Sequence, residues 1–353
     1  MDQFYIGVDF HPHQQTVVWC ERETGEIKTV TLKHDHVVIR AFYAALPPGV
    51  VGIEATTPAD WFAALVRETG HELWVGNPAK IRARARSRHK SDRRDAELLY
   101  DLLRTGEFPR LWRREHTSQQ VLDILHLRHR LVRQRTQVYN RLQALAHRGG
   151  LPKGRVKTPS FQTTLKACVV DDAQAIVRTQ WFNLLEQLDT QIAELELWLH
   201  KQTKGDAAVQ RLLTQKGVGE LTALTVVHTL GDVQRFPRLG KQIVAFAGLD
   251  PLERSSAGKT RFAGISKQGS ALLRFQLGQA ANIAARYEGK LKSHFKKLAK
   301  KKPRAVAKTA TARKLLVKLA IMLRDEITAA EFEDRGRTVG NARGSARSEM
   351  TLD

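Results

Sequence analysis

Phe4-Tyr5-Ile6-Gly7-Val8-Asp9 is the stretch on which the fold turns: aromatic and β-branched residues build a buried strand that ends on a carboxylate. Such an acid is delivered to the edge of a sheet. Strand-like runs at 16–22 and 26–32 follow, with Glu23-Thr24-Gly25 between them as a turn, so the chain opens as a three-stranded antiparallel meander. A short helix is expected over 37–45. Gly49-Val50-Val51-Gly52-Ile53 then reads as a second buried strand handing off to Glu54, and Thr57-Pro58 starts a helix carrying Trp61, Phe62, Leu65 and Val66. A strand over 72–75 closes the unit.

The order β-β-β-α-β-α-β, with acids at the tips of the first and fourth strands, is the layout of an α/β RNase H-like (RuvC-like) domain, where those tips are neighbours. A third acidic element is Lys90-Ser91-Asp92-Arg93-Arg94-Asp95-Ala96-Glu97. Ser91 is an N-cap type, and positions three apart share a helix face, so Asp92 and Asp95 point the same way. Each acid alone has a bland explanation, since carboxylates favour the first turn of a helix. Together, four hard oxygen donors from two strands and one helix suit Mg²⁺ or Mn²⁺. Two such ions, roughly 3.5 to 4 Å apart, activate an attacking oxygen and stabilise a leaving oxygen at phosphorus. Glu97 reads as an exposed acid pairing with Arg93 or Arg94. His11 and His13 beside Asp9 suit either a phosphate contact or a solvated loop.

Charge narrows the substrate. The 353 residues hold 58 Lys and Arg against 36 Asp and Glu, a formal net charge of +22, which attracts polyanions and makes nucleic acid the natural partner. A hydrophobic content of 42% excludes wholesale disorder and leaves material for two domains. Cys20 and Cys168 lack metal-site spacing and suit a reducing compartment, and no run is apolar enough to span a bilayer, so a cytoplasmic protein without a membrane partner is expected. Arg84, Arg86, Arg88, Lys90, Arg93 and Arg94 crowd the approach to the acidic helix. A phosphate backbone held there is drawn toward the carboxylates.

The organisation expected is a catalytic domain over 1–110, a helical coiled-coil-like middle over 111–205, a mainly α C-terminal domain over 206–330 and a disordered tail over 331–353. Residues 118–147 form a long basic amphipathic helix, 149–160 a linker, and the Leu184, Leu188, Ile192, Leu195, Leu199 repeat a coiled-coil-capable helix that packs within the chain or on a second copy. Lys216-Gly217-Val218-Gly219 followed by a helix over 222–230 resembles a helix-hairpin-helix, whose turn offers backbone N–H groups to a phosphate. Further on, Ser255 and Ser256 lie in a loop flanked by Arg254, Lys259, Arg261 and Lys267.

With these motifs quoted, together with Gly231-Asp232, Arg235-Phe236, Ala247-Gly248-Leu249 and Ile265-Ser266-Lys267-Gln268-Gly269, the chain resembles insertion-sequence transposases. Those proteins pair an Asp-Glu-Asp-Asp RuvC-like domain with a serine-bearing C-terminal domain and act as bridge-RNA-guided recombinases. The resemblance covers most of residues 4–325. It implies a metal tetrad of Asp9, Glu54, Asp92 and Asp95, a nucleophile at Ser256 with Ser255 adjacent, a structured non-coding guide RNA, element-end and target DNA, and a homo-oligomer, dimer or tetramer. This chain has Ala257 rather than Gly after the serine, and His11-Pro12-His13 where relatives tend to carry a Lys.

A covalent phosphoserine conserves the phosphodiester's free energy for rejoining, which is what a recombinase without an external energy source requires. Two other classes are discriminable. A RuvC-like nuclease or junction resolvase uses water and leaves Ser256 structural, whereas a non-catalytic nucleic-acid binder cleaves in no metal. A sugar-kinase-like relative shares the opening strand, but the excess of positive charge argues against a small-molecule substrate.

Overall fold

The computed structural model describes residues 3–55, 60–84, 91–151, 154–168, 171–256 and 259–335, with backbone alone for 253–256 and 259–263. The chain divides into two compact units, Met1–Arg113 and Arg114–Asp353.

In the first unit, β1 (Phe4–Phe10), β2 (Gln14–Cys20) and β3 (Ile27–Lys33) form the antiparallel meander. Next come α1 (His36–Ala44), β4 (Gly49–Glu54), α2 (Asp60–Glu68), β5 (Glu72–Gly76), the short α3 (Pro78–Arg82) and α4 (Asp92–Arg104). β4 lies parallel to β1 and β5 parallel to β4, giving a mixed five-stranded sheet of order β3-β2-β1-β4-β5. The β period of two sorts its side chains. Ile6, Val8, Phe10, Val51 and Ile53 bury against Ile39 and Tyr43 of α1 and Phe62, Leu65 and Val66 of α2. On the other face, Val50 packs with Leu99, Leu102 and Leu103 of α4, and Val18 with Ala96 and Tyr100. The expected element order therefore stands as an α/β domain, and the helix start expected at Thr57-Pro58 lies outside the described residues.

One buried polar residue ties the layer together. The Gly49 N–H donates to His71 Nδ1 at 3.2 Å, and His71 Nε2 lies 2.9 Å from the Tyr43 carbonyl, so the ring is neutral with its proton on Nε2. Replacing it strands two buried backbone groups, each costing about 1–3 kcal/mol. His71→Ala is expected to lower unfolding free energy by about 3 kcal/mol. A urea melt checks this: the midpoint should fall with an unchanged slope.

The second unit opens with a long hairpin of α5 (His116–Arg148) and α7 (Asp172–Gly205), with α6 (Pro159–Ala167) between them. Arg135 bonds Asp189 at 2.7 Å and Arg128 bonds Glu196, which sets the antiparallel register. Leu188, Ile192 and Leu199 of the expected stripe are buried within the chain, while Leu184 is exposed. The remainder is α8 (Ala207–Leu213), α9 (Glu220–Leu230), a 3-10 turn over Val233–Arg235, α10 (Leu239–Phe246), β6 (Pro251–Ser256), β7 (Lys259–Ile265), α11 (Ala271–Tyr287), α12 (Gly289–Ala299) and α13 (Arg304–Arg324), around one core. Two differences from the sequence reading stand out. The serine segment is an antiparallel hairpin rather than a loop, Ser255 pairing with Thr260 and Ser256 with Lys259. The described chain also runs into the expected tail, where Phe332 packs on the core and Glu333 bonds the buried Lys318 at 2.7 Å; residues 336–353 lie outside the described set.

Candidate active site

Close approach of a helix to a strand builds the site. A Cβ on Gly7 would stand 2.4 Å from both the Ala96 carbonyl oxygen and the Tyr100 nitrogen, so α4 rests directly on the β1 backbone. Tyr5, Gly7 and Asp9 share the face that α4 covers. Asp9 lies one pleat beyond Gly7, and Asp92 and Asp95 lie one turn or less before Ala96, so all three acids meet at the same end. Ser91 caps α4, its hydroxyl accepting from the Arg94 N–H, which fixes where that first turn begins.

His11 Nε2 lies 3.0 Å from Asp9 Oδ2 and 3.7 Å from Asp92 Oδ1. Gln14 donates to the other Asp92 oxygen at 3.4 Å. One donor atom from each of Asp9, His11 and Asp92 falls within 4.8 Å of the others, a spacing that fits a divalent ion. Asp9 forms the floor, its side chain 15% exposed, and Asp92 the rim at 51%. Burial pushes the Asp9 carboxyl above the usual carboxylate range; His11 opposes this, while the charges of Asp95 and Asp92 add to it. Acids crowded so that one resists ionisation are what a bound cation relieves.

Glu54 joins by register. Val8 pairs with Ile53 in parallel, so Asp9 and Glu54 are the next pair along, on the same face of adjacent strands. The structure thus gathers Asp9 and Asp92 through His11, brings Asp95 within electrostatic reach and sets Glu54 one strand away. His11 is the member the sequence reading left between a phosphate contact and a solvated loop. Its offset of two from Asp9 on extended chain was the available signal.

The cationic residues divide. Arg93 bonds Glu97 at 2.8 Å, as expected, and Arg94 is exposed on the first turn of α4. Arg84 donates to the Lys80 carbonyl, whereas Arg86, Arg88 and Lys90 lie outside the described residues. Lys216 and Gly219 are exposed at the α8–α9 turn. Gly217 (φ +95°) has its own structural reason, since a Cβ there would meet the Ala280 oxygen and Ala284 nitrogen of α11 at 2.8 Å. Of Lys259, Arg261 and Ser256 only the backbone is described.

The base of the serine hairpin is locked. Arg274 Nη1 donates to the carbonyls of Ala247, Gln268 and Gly269 at 3.1, 2.7 and 3.3 Å, and Arg313 donates to that of Leu249. The Ser266 hydroxyl donates to the Asp250 carboxylate. Lys267 is held at φ +57°, an uncommon conformation for a residue with a Cβ, between Gly248 and Gly269, which are both left-handed.

Comparison with known proteins matches residues 209–296 to the model of the "Transposase IS116/IS110/IS902 family" and residues 6–148 to the DEDD transposase domain of the IS110 group. A "Probable family 20 transposase" of Pseudomonas aeruginosa is 30% identical over 286 residues, covering 79% of this chain and 80% of the relative. The chain belongs to the IS116/IS110/IS902 transposase family. The transposase for insertion sequence element IS1328 of Yersinia enterocolitica is 28% identical, covering 79% of this chain and 83% of its own. That for IS1111A of Coxiella burnetii is 29% identical, covering 69% and 68%. This transposase is therefore an enzyme that cuts and rejoins DNA. Among its described residues no helix is long and apolar enough to cross a membrane.

Proposed function

We propose that the first unit is a RuvC-like catalytic domain in which Asp9, Glu54, Asp92 and Asp95 hold Mg²⁺ or Mn²⁺, and that Ser256 of the second unit is the DNA nucleophile. The observation that carries the reading is the meeting of Asp9 and Asp92 around one point at the tip of β1, with the nearby Asp95 adding to the burial that raises the Asp9 carboxyl. A hard divalent ion bound there supplies Lewis-acid polarisation of a phosphoryl oxygen.

The chain's own residues do the rest. Asp9 is held by β1 and Asp92 by the capped start of α4, so their separation is set by packing rather than by loops. His11 reaches both acids, so it would add a nitrogen ligand to an ion held there or donate to a phosphate oxygen beside it. The Ser256 oxygen forms a bond to phosphorus while one phosphorus–deoxyribose oxygen bond breaks. The serine proton leaves and the departing deoxyribose oxygen takes one up, so the phosphodiester count is conserved and the reverse attack rejoins DNA. Arg274 and Arg313 hold the hairpin base that presents the serine. A structured guide RNA would choose the DNA by base pairing, leaving the protein to read backbone shape. A homo-oligomer, dimer or tetramer, is the assembly that the family resemblance implies.

Trapping tests this reading. Incubation with a nicked or mismatched element-end duplex and Mg²⁺ should yield a covalent protein–DNA adduct on denaturing gels, absent in Ser256→Ala and retained in Ser255→Ala. Cleavage at full rate by Ser256→Ala without any adduct would instead assign a water-using, RuvC-like nuclease.

A further inference from the structure

The strongest charge concentration in the second unit lies far along the chain from both the acidic tetrad and the serine hairpin. Between residues 289 and 308 there are nine Lys or Arg and no Asp or Glu. Leu291 is buried and Phe295 and Leu298 are half-buried, which turns one face of α12 to the core and the other outward. Lys292, Lys296 and Lys300 recur every four residues and are exposed, and Lys297 and Lys301 form a second exposed row beside them. Among the described residues, no ion pair joins any of these five to an acid: Glu288 pairs with the buried Lys318, and Glu333 is shared between Lys318 and Lys290 at the start of the helix.

Local stability does not account for the arrangement. Like charges four apart on a helix repel, and Lys292 at the start of α12, with Arg304 at the start of α13, sits where the helix dipole disfavours cations, whereas Lys290 is paired with Glu333. A dipole effect explains only Lys296 and Lys297 in the last turn. The neighbourhood is positive enough that Lys314 and Lys297, after burial, hold His294 below its ordinary value.

We infer that the outer face of α12, continued through Lys300 and Lys301 toward Arg304, is a docking surface for the phosphate backbone of duplex DNA. An 11-residue helix is about 16 Å long, and duplex DNA carries a charge about every 1.7 Å of axis, so a row of lysines on it meets several phosphates at once. Contacts of this kind position DNA without reading its sequence. The inference rests on the family's DNA-processing activity and is independent of the metal tetrad and the serine.

The test uses the full chain and a fluorescent random-sequence duplex of about 30 base pairs, with anisotropy titrations over a range of KCl. The triple variant Lys292→Gln/Lys296→Gln/Lys300→Gln is compared with a charge-matched control, Lys33→Gln/Lys201→Gln/Lys204→Gln, whose residues are also exposed. Each lost phosphate contact lowers the slope of log K against log salt by about 0.9, so the patch variant should lose about 2.7 and bind about 10²-fold more weakly near 0.1 M salt. The control should keep its slope. Equal changes in both variants, an unchanged slope in the patch variant, or a loss seen only with an RNA hairpin would each overturn the inference. A second variant, Lys297→Gln/Lys301→Gln, guards against a fold effect and should lose about 1.8 in slope. Adduct formation by the patch variant at saturating DNA should match wild type, so failure here is distinct from failure of the serine reading.

Discussion

Asp9→Asn should reduce metal-dependent strand cleavage by about 10³-fold or more, because Lewis-acid stabilisation at phosphorus is worth several kcal/mol and each 1.36 kcal/mol is a factor of ten. The same variant should fold at least as well as wild type. Burial raises the carboxyl of Asp9, with Asp95 and Asp92 adding to it, so in metal-free buffer the folded protein holds this proton more tightly than the unfolded chain does. For an acid whose folded pKa lies above the unfolded value, the advantage of that protonated state is present below the unfolded value and lost as pH rises through the folded one. Asn carries no such charge, so near neutral pH with chelator present the variant should melt at or above the wild-type temperature. The difference should vanish below the ordinary Asp value of 3.8.

Added Mg²⁺ should reverse the order. An ion that binds the folded site stabilises wild type in proportion to its affinity, and the variant gains less. Melting curves with and without Mg²⁺ at two pH values therefore separate a ligand from a merely buried acid. A cleavage rate within about threefold of wild type, or an equal Mg²⁺-dependent melting shift in both proteins, would remove Asp9 from the ligand set.

Much of the first unit was legible because strands announce their period. The apolar run Phe4–Val8 and the run Gly49–Ile53 could only be buried strands, and the acids that end them mark the same sheet edge. Asp92 and Asp95 were legible as a pair from their spacing and from Ser91 as cap. What the sequence hid was tertiary. The offset of two places His11 beside Asp9, but that His11 also reaches Asp92 depends on how α4 lies across β1. The serine segment read as a loop because Arg, Ser, Gly and Lys are weak strand formers. Its pairing is imposed instead by the clasp of residues 246–250 against 265–269, where Arg274 gathers three carbonyls. Gly217 reads as a phosphate-turn glycine, and its left-handed backbone and its packing against α11 would require glycine there in any case. A glycine motif reports the need for close approach without saying what approaches.

That same need makes Gly7 the position where one carbon should separate the two halves of the proposed metal site. In Gly7→Ala the new Cβ meets only backbone, the Ala96 oxygen and Tyr100 nitrogen at 2.4 Å and the Tyr100 Cα at 2.8 Å, so no side chain can turn aside and α4 itself must lift. An outward shift of about 1 Å carries Asp92 and Asp95 away from Asp9, and misplacement on that scale costs about 10²-fold in rate. Overpacking of this kind also costs about 1–3 kcal/mol of stability. His71→Ala is the matched control: it loses comparable stability at Gly49, the opposite end of β4 from Glu54, and leaves the α4–β1 contact untouched. Rates per folded molecule should therefore fall about 10²-fold in Gly7→Ala and stay near wild type in His71→Ala, with the Mg²⁺-dependent melting shift lost only in the former. Full-rate cleavage by Gly7→Ala would mean that the carboxylates on α4 need not stand against Asp9 for the chemistry to run.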